Sequence, residues 1–211
     1  MPAYDSLKAA NPVIKKELFK MITKLKYGNT NTYFIDGLLI DTDYAGTLPA
    51  FFREIKKNGI AVSDIKYILA THYHPDHIGL VGELAELGAR LLLLEHQTAY
   101  VHYSDKIFER EPHLKYKPID ENNAVVIGCE ESRDFLNSIS IQGEIIPTAS
   151  HSSDGIALIS DDGSCFAGDL EPPEFIGAYE NNQALREDWE RILSFHPAAV
   201  YYGHANEKIL R

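Results

Sequence analysis

The sequence predicts an α/β domain whose helices cover its sheets. Two observations carry that reading. Short apolar runs of strand length alternate with amphipathic runs of helix length in both halves of the chain, a pattern that packs helices onto sheets. The 211 residues, 45% of them hydrophobic, hold enough apolar surface for one sizeable core. No Pro/Gly/Ser-rich linker divides them, so residues 1–211 read as a single domain.

The elements follow in order. Residues 32–35 and 38–40 flank Asp36-Gly37, a pair that tolerates the positive φ of a type I′ turn, and predict a tight hairpin. Leu48, Phe51, Phe52 and Ile55 recur at helical spacing, with Gly59 as the stop. A buried-strand run at 65–69 leads into Thr71-His72-Tyr73-His74-Pro75-Asp76-His77. Leu80, Val81, Leu84 and Leu87 mark a second helix face, and residues 90–94 another strand. From 97 to 123 the periodicity weakens around Pro112 and Pro118, which predicts a partly helical excursion. Strands follow at 141–146, 156–159 and 165–167, the last two joined through Asp161-Asp162-Gly163. Leu185, Trp189, Ile192 and Leu193 give a third helix face, Trp189 as core, and residues 198–202 a final strand.

Composition narrows the function. Thirty-one acidic against 20 basic residues give a net charge of −11, which repels phosphates, so no nucleic-acid partner is expected. The longest aliphatic run, residues 91–94, cannot span a bilayer, so no membrane partner is expected. Met1-Pro2-Ala3-Tyr4-Asp5 has no apolar leader core. Cys129 and Cys165 form neither a disulfide framework nor a paired metal motif, and a cytoplasmic location fits best. A small-molecule substrate is the expected partner; oligomeric state stays open.

His72, His74, Asp76 and His77 fall within six positions directly after a strand. Three crowded imidazoles repel one another when protonated and are costly to bury neutral without partners. A divalent cation relieves both, because imidazole nitrogen and carboxylate oxygen are good ligands for zinc-like metals. Alternate residues of an extended segment point the same way, so His72 and His74 can share one ion. Past the Pro75 turn, Asp76 and His77 can address a neighbouring position.

Thr-His-x-His-x-Asp-His-x-Gly, standing from Thr71 to Gly79, resembles the signature loop of the metallo-β-lactamase-fold superfamily. Later segments resemble its further motifs in order: His151 in Thr148-Ala149-Ser150-His151-Ser152, Asp169 in Phe166-Ala167-Gly168-Asp169, and His204 in Tyr202-Gly203-His204. Asp41, in Leu39-Ile40-Asp41-Thr42, resembles the acid that supports the ligands from behind. The resemblance implies an αββα four-layer sandwich with the metal site at the edge between the two sheets. It implies two divalent ions per chain, zinc first, with iron or manganese as alternatives. One is held by His72, His74 and His151, the other by Asp76, His77 and His204, with Asp169 bridging. Two dications, two carboxylates and a bridging hydroxide sum to about +1, a positive site in an acidic protein. Asp76 is then the residue to orient the attacking water and take its proton. Two departures stand at the third motif: Ala149-Ser150 replaces the family's usual Pro-Gly, and Ser152-Ser153-Asp154-Gly155 resembles its Ser/Asp variants more than its commonest Thr-x-Gly form.

The implied activity is a metal-dependent hydrolase that turns a metal-bridging hydroxide on a small ester, thioester or lactone. A phosphodiesterase of the same fold is the alternative, but no basic segment grips a polyanion. From another class, an iron-dependent persulfide dioxygenase-like oxidoreductase uses fewer ligands than stand here. The flavodiiron pattern resembles one with Glu where His74 stands, and a metal-binding module without catalysis has no need of the full set. Glyoxalase II has a helical domain after its last ligand, whereas only Ala205 to Arg211 follow His204. An aspartate at 169 also separates this chain from the true zinc β-lactamases, where that position resembles Cys or Ser.

Outside the motifs, His96, His102, His113 and His196 read as surface or structural residues. His113 is the exception to weigh, because residues 96–118 mix aromatics with poor periodicity, as a substrate loop would. His113 and Tyr116 are its candidate substrate contacts. Of Tyr201 and Tyr202, one is expected in the core and the other toward the cleft. Cys165 reads as buried packing.

Overall fold

The computed structural model describes residues 22–178 and 182–210; the segment Met1-Pro2-Ala3-Tyr4-Asp5 and Arg211 lie outside them. The hairpin forms as its turn residues require, with Asp36 at φ 46 and Gly37 at φ 91 and Ile35 paired to Leu38. It belongs to a six-stranded sheet made of β1 (Thr23–Lys26), β2 (Asn31–Ile35), β3 (Leu38–Ile40), β4 (Tyr67–Leu69), β5 (Arg90–Leu94) and β6 (Val125–Ile127), in sequential order. The first three strands are antiparallel, and β3 to β6 run parallel. The second sheet contains β7 (Gly143–Pro147), β8 (Ile156–Ser160), β9 (Ser164–Gly168), β10 (Ala199–Tyr202) and β11 (Lys208–Ile209), ordered β11-β10-β9-β8-β7. Only β9 and β10 pair in parallel there.

Side-chain alternation along the strands builds the four layers. Leu39, Leu91 and Leu93 face one core with Phe51 and Ile55 of α1 (Leu48–Lys57). Their neighbours Leu38, Ile40, Leu92 and Leu94 face a second core between the sheets, where Ile156, Leu158 and Phe166 meet them. Ala157, Ile159 and Cys165 turn to a third core against a long C-terminal helix. Both faces of each sheet are covered, which is why these strands read as continuous apolar runs.

Among the described residues the remaining helices are α2 (Pro75–Ile78), α3 (Val81–Glu86), α4 (Asp105–Phe108), α5 (Ser132–Ser138) and α6 (Gln183–Ser194), whose Leu185, Trp189 and Ile192 are buried. Two expected core residues are not core: Leu87, 48% exposed, lies just past α3, and Leu193, 46% exposed, falls on the outer face of α6. β1, β6, α5 and β11 were not expected from the pattern. The 97–123 excursion consists of α4 and short 3-10 turns. Among the described residues, no helix is long and apolar enough to cross a membrane.

Candidate metal centre

The singled-out residues leave the ends of strands. Asp41 follows β3, Thr71 to His77 follow β4, His151 lies between β7 and β8, Asp169 follows β9 and His204 follows β10. Loops beyond carboxyl ends of strands are where open α/β sheets assemble sites. Backbone bonds lock the loops together: Ile156 N–H to Thr71 O at 2.9 Å, Gly203 N–H to Gly168 O at 2.8 Å, and Asn31 N–H to Gly203 O at 2.6 Å. Pro75 opens α2 at a position where its missing N–H costs nothing, and the helical turn places Asp76 and His77 beside the extended His72-Tyr73-His74.

The structure gathers all seven candidate ligands. Three trios, His72/His74/His151, His72/His77/Asp169 and Asp76/His77/His204, each offer ligand atoms within 4.8 Å of one another. His74 Nδ1 lies 2.9 Å from His72 Nε2 and 3.3 Å from His151 Nε2. Asp169 Oδ2 is 3.3 Å from both His77 Nε2 and His204 Nε2, and 3.9 Å from His151 Nε2, so it stands between the two outer trios. His204 Nε2 lies 3.1 Å from Asp76 Oδ2.

A supporting shell fixes the rings. Asp41 Oδ2 accepts from His77 Nδ1 at 2.9 Å and from Thr71 Oγ1 at 2.8 Å, and Oδ1 accepts from Thr71 N–H at 2.7 Å. With the Thr71 hydroxyl proton spent on Asp41, His72 Nδ1–H donates to Thr71 Oγ1 at 3.2 Å. His204 Nδ1 donates to Asn29 O at 3.3 Å. Each bond leaves Nε2 facing the cluster, the tautomer a metal needs. Close approach demands glycine at two points. A Cβ on Gly168, at φ +55, would lie 2.3 Å from Thr71 Oγ1, and one on Gly203 would lie 2.5 Å from Asp169 Oδ1.

The electrostatics divide the cluster's histidines. Burial, then His77, His74 and His151, push the His72 pKa well below its ordinary value. Burial lowers His151 too, against the opposing pull of Asp169. Burial would also lower His77, but the Asp41 and Asp169 carboxylates outweigh it and carry it to about 10. For Asp169, burial raises the pKa, yet His77, His204 and His151 together bring it below the usual carboxylate range. His77 Nε2 and Asp169 Oδ1 are buried without a hydrogen-bond partner. Orphaned donor atoms of this kind, ringed by imidazoles and carboxylates, fit bound divalent metal.

Two of the clefts that border the cluster exceed about 300 Å³. One of about 400 Å³ is lined by His74 and His151 together with Tyr73, Tyr100, Tyr103 and three serines. The other, about 340 Å³, is lined by His151, Asp169, Glu171, Tyr202 and His204. His113 and Tyr116 are not brought to either. His113 is exposed on a 3-10 turn. Tyr116 stacks on Phe108 with ring centroids 4.0 Å apart, donates its hydroxyl to Asp105 at 3.1 Å, and lines a different pocket with Pro112 and Pro118. From that segment it is Tyr100 and Tyr103 that reach the cleft.

The other histidines lie apart from the cluster. His102 sits between Asp105 at 2.8 Å and Glu121 at 3.1 Å, and His96 is 3.9 Å from Cys129 Sγ. Cys165 is buried in the third core, where burial pushes its thiol up to about 12. Tyr201 stacks on Phe166 between the sheets, while Tyr202 is buried yet borders the second cleft. Two carboxylates have contacts that sequence reasoning did not assign. Asp154 accepts from Tyr73 N–H at 2.6 Å, and Asp188 accepts from Ser150 N–H at 2.8 Å.

Comparison with known proteins places this geometry. The family described as Metallo-beta-lactamase superfamily matches residues 25–204. Beta-lactamase-like protein 2 homolog of Drosophila melanogaster is 26% identical over 192 residues, 84% of this chain and 59% of its own length. Flavo-diiron protein FprA2 of Clostridium acetobutylicum is 29% identical over 127 residues, 58% of this chain and 30% of its own length. The chain therefore spans between about a third and three fifths of these relatives. Among solved structures, the metallo-beta-lactamase family protein TTHA1429 from Thermus thermophilus aligns with a TM-score of 0.65 at 21% identity, over 90% of this chain and 74% of that one. TTHA1623 in a di-iron-bound form aligns with a TM-score of 0.64 at 22% identity, over 90% and 94%. The four-layer fold and the match across nearly all the described residues agree: this chain belongs to the metallo-beta-lactamase superfamily.

Proposed function

We propose that the protein is a metal-dependent hydrolase of small, uncharged carboxylic acid derivatives such as esters, thioesters or lactones. The observation that carries this reading is the lining of the cleft beside His74 and His151. Tyrosines and serines dominate it, no Lys or Arg contributes among the described residues, and Asp154 is its one acid. Asp154 is already engaged by Tyr73 N–H and the Ser152 hydroxyl. Such a surface suits a neutral group with an apolar face, whereas a phosphodiester needs cations to grip it.

The seven side chains would hold two ions, His72, His74 and His151 on one, Asp76, His77 and His204 on the other, with Asp169 between. Zinc is the proposed metal. Such ions would supply a nucleophile at neutral pH and Lewis-acid stabilisation of the developing oxyanion. Asp41 keeps His77 and His72 in the ligating tautomer. Asp76, partly exposed, is the residue proposed to orient the attacking water and accept its proton. Tyr103, 60% exposed beside His74 with ring centroids 6.2 Å apart, would border the substrate's apolar part.

A second reading, an iron-dependent oxidoreductase, is favoured by two relatives: the flavo-diiron protein and the structure in a di-iron-bound form. Zinc- and iron-reconstituted protein, assayed against chromogenic ester, thioester, lactone, phosphodiester and cephalosporin substrates and for oxygen uptake with a low-molecular-weight persulfide, separates the readings. Ester, thioester or lactone turnover by the zinc form is expected, with cephalosporin kcat/KM below about 10⁵ M⁻¹s⁻¹, the level of an efficient enzyme. Turnover of phosphodiesters alone, or of nothing in either form, would refute the proposal.

A further inference from the structure

The last helix carries a charge where its pattern calls for an apolar residue. Leu185, Asp188, Trp189 and Ile192 share the buried face of α6 by their spacing, and Asp188 is only 1% exposed. Burying a carboxylate is costly without compensation. Two partners supply it: Arg191, which donates to Oδ1 from one turn on, and the Ser150 N–H, which donates to Oδ2 at 2.8 Å. The second bond leaves the helix altogether and ends on the residue before His151.

That residue stands in the segment where Ala149-Ser150 replaces Pro-Gly. Without proline's fixed φ the loop has more freedom before its ligand. His151 has little else to orient it. The rings of His72, His77 and His204 each bond through Nδ1 to Thr71, Asp41 or Asn29. His151 contacts His74 and Asp169 through Nε2, the ligating side, and among the described residues no such anchor stands behind its Nδ1. Its aim is therefore set by its backbone. Beyond the Ser150 bond, the loop is closed at its base by Thr148 N–H to Gly155 O and Gly155 N–H to Ser152 O, both at 2.8 Å.

We propose that Asp188 is a positioning residue for His151: its carboxylate pins the Ser150 backbone and so fixes the third ligand of the ion shared with His72 and His74. The inference concerns metal holding and stands whichever reaction the centre performs. Partners behind metal ligands affect affinity by about 10–100-fold, and an effect in that range is expected on one ion only.

The test uses the full chain reconstituted with Co²⁺ and with Zn²⁺, read by competitive chelator titration and by the cobalt d–d spectrum. Asp188→Ala should weaken one of the two ions about 10–100-fold, alter the d–d bands of that site and leave the other ion unchanged. Asp188→Asn, which retains an acceptor for Ser150, should restore most of the affinity. Arg191→Met, which removes the ion pair but keeps the Ser150 bond, should bind both ions nearly as the parent does. If Asp188→Ala does not fold, Asp188→Leu, which matches the apolar face and lacks the acceptor, takes its place. Wild-type affinity and spectrum in the Ala or Leu variant would overturn the proposal. So would an equal loss in Arg191→Met, because the effect would then come from helix stability.

Discussion

Replacing Asp41 with Asn separates a carboxylate that sets tautomers from a side chain that merely fills its place. Asp41 is 2% exposed and accepts three bonds, from Thr71 N–H, Thr71 Oγ1 and His77 Nδ1. Asn can keep one oxygen toward Thr71 N–H, but it then presents an NH₂ to the other two groups. Facing a donor, His77 must carry its own proton on Nε2, the nitrogen 3.3 Å from Asp169. That proton blocks the ligating lone pair. The two bonds to Oδ2 persist only with their direction reversed and their charge assistance gone, each falling from about 1.5–3 kcal/mol to about 0.5–1.5 kcal/mol, so the expected loss of stability is about 2 kcal/mol. Backbone strain does not confuse the result, because Asp41 sits at φ 57, a conformation Asn tolerates as well as Asp. Urea unfolding measures the first effect, and chelator competition should show a fall of about 10–100-fold in affinity for the ion on His77. An Asp41→Asn protein that binds its metal as tightly as the parent would refute the tautomer argument.

Three further predictions follow from the geometry. Tyr103→Ala removes an exposed ring beside His74, so it should change stability by under about 0.5 kcal/mol while raising KM for aryl esters several-fold at constant metal content. Tyr116→Ala should do the reverse, costing about 2–4 kcal/mol through its lost packing on Phe108 with substrate preference unchanged, and His113→Ala should alter neither; differential scanning and the ester panel check all three. Gly168→Ala forces a Cβ to within 2.3 Å of Thr71 Oγ1 at φ +55, and should lower both bound metal and thermal midpoint, read by elemental analysis and a melting curve.

Much of this was legible because its physics is local. The ligands stand in short segments at strand ends, and the continuous apolar runs 38–40 and 91–94 mark strands covered on both faces. What stayed hidden lacked a local signature. β1 has one buried residue, Leu25, and β6 leaves Val126 exposed, so neither alternates legibly. α5 buries only Ser132 and Leu136, too few for a helical stripe. Leu193 fits the apolar spacing of α6 yet points outward, since spacing cannot say where a stripe ends. The substrate segment misled in a different way: aromatic content marked residues 96–118, but Tyr116 stacks on Phe108 at the edge of the core while Tyr100 and Tyr103 reach the cleft. Asp188 did leave a trace, a carboxylate between Leu185 and Trp189 on a buried face.

The central claim is that seven side chains hold a pair of metal ions, and elemental analysis of protein purified without chelator and then reconstituted tests it most directly. Two ions per chain are predicted, falling to about one in His204→Ala and in His151→Ala, each of which removes a ligand from a different ion. A stoichiometry that stays near one in the parent after reconstitution, or two ions retained in both variants, would contradict the account.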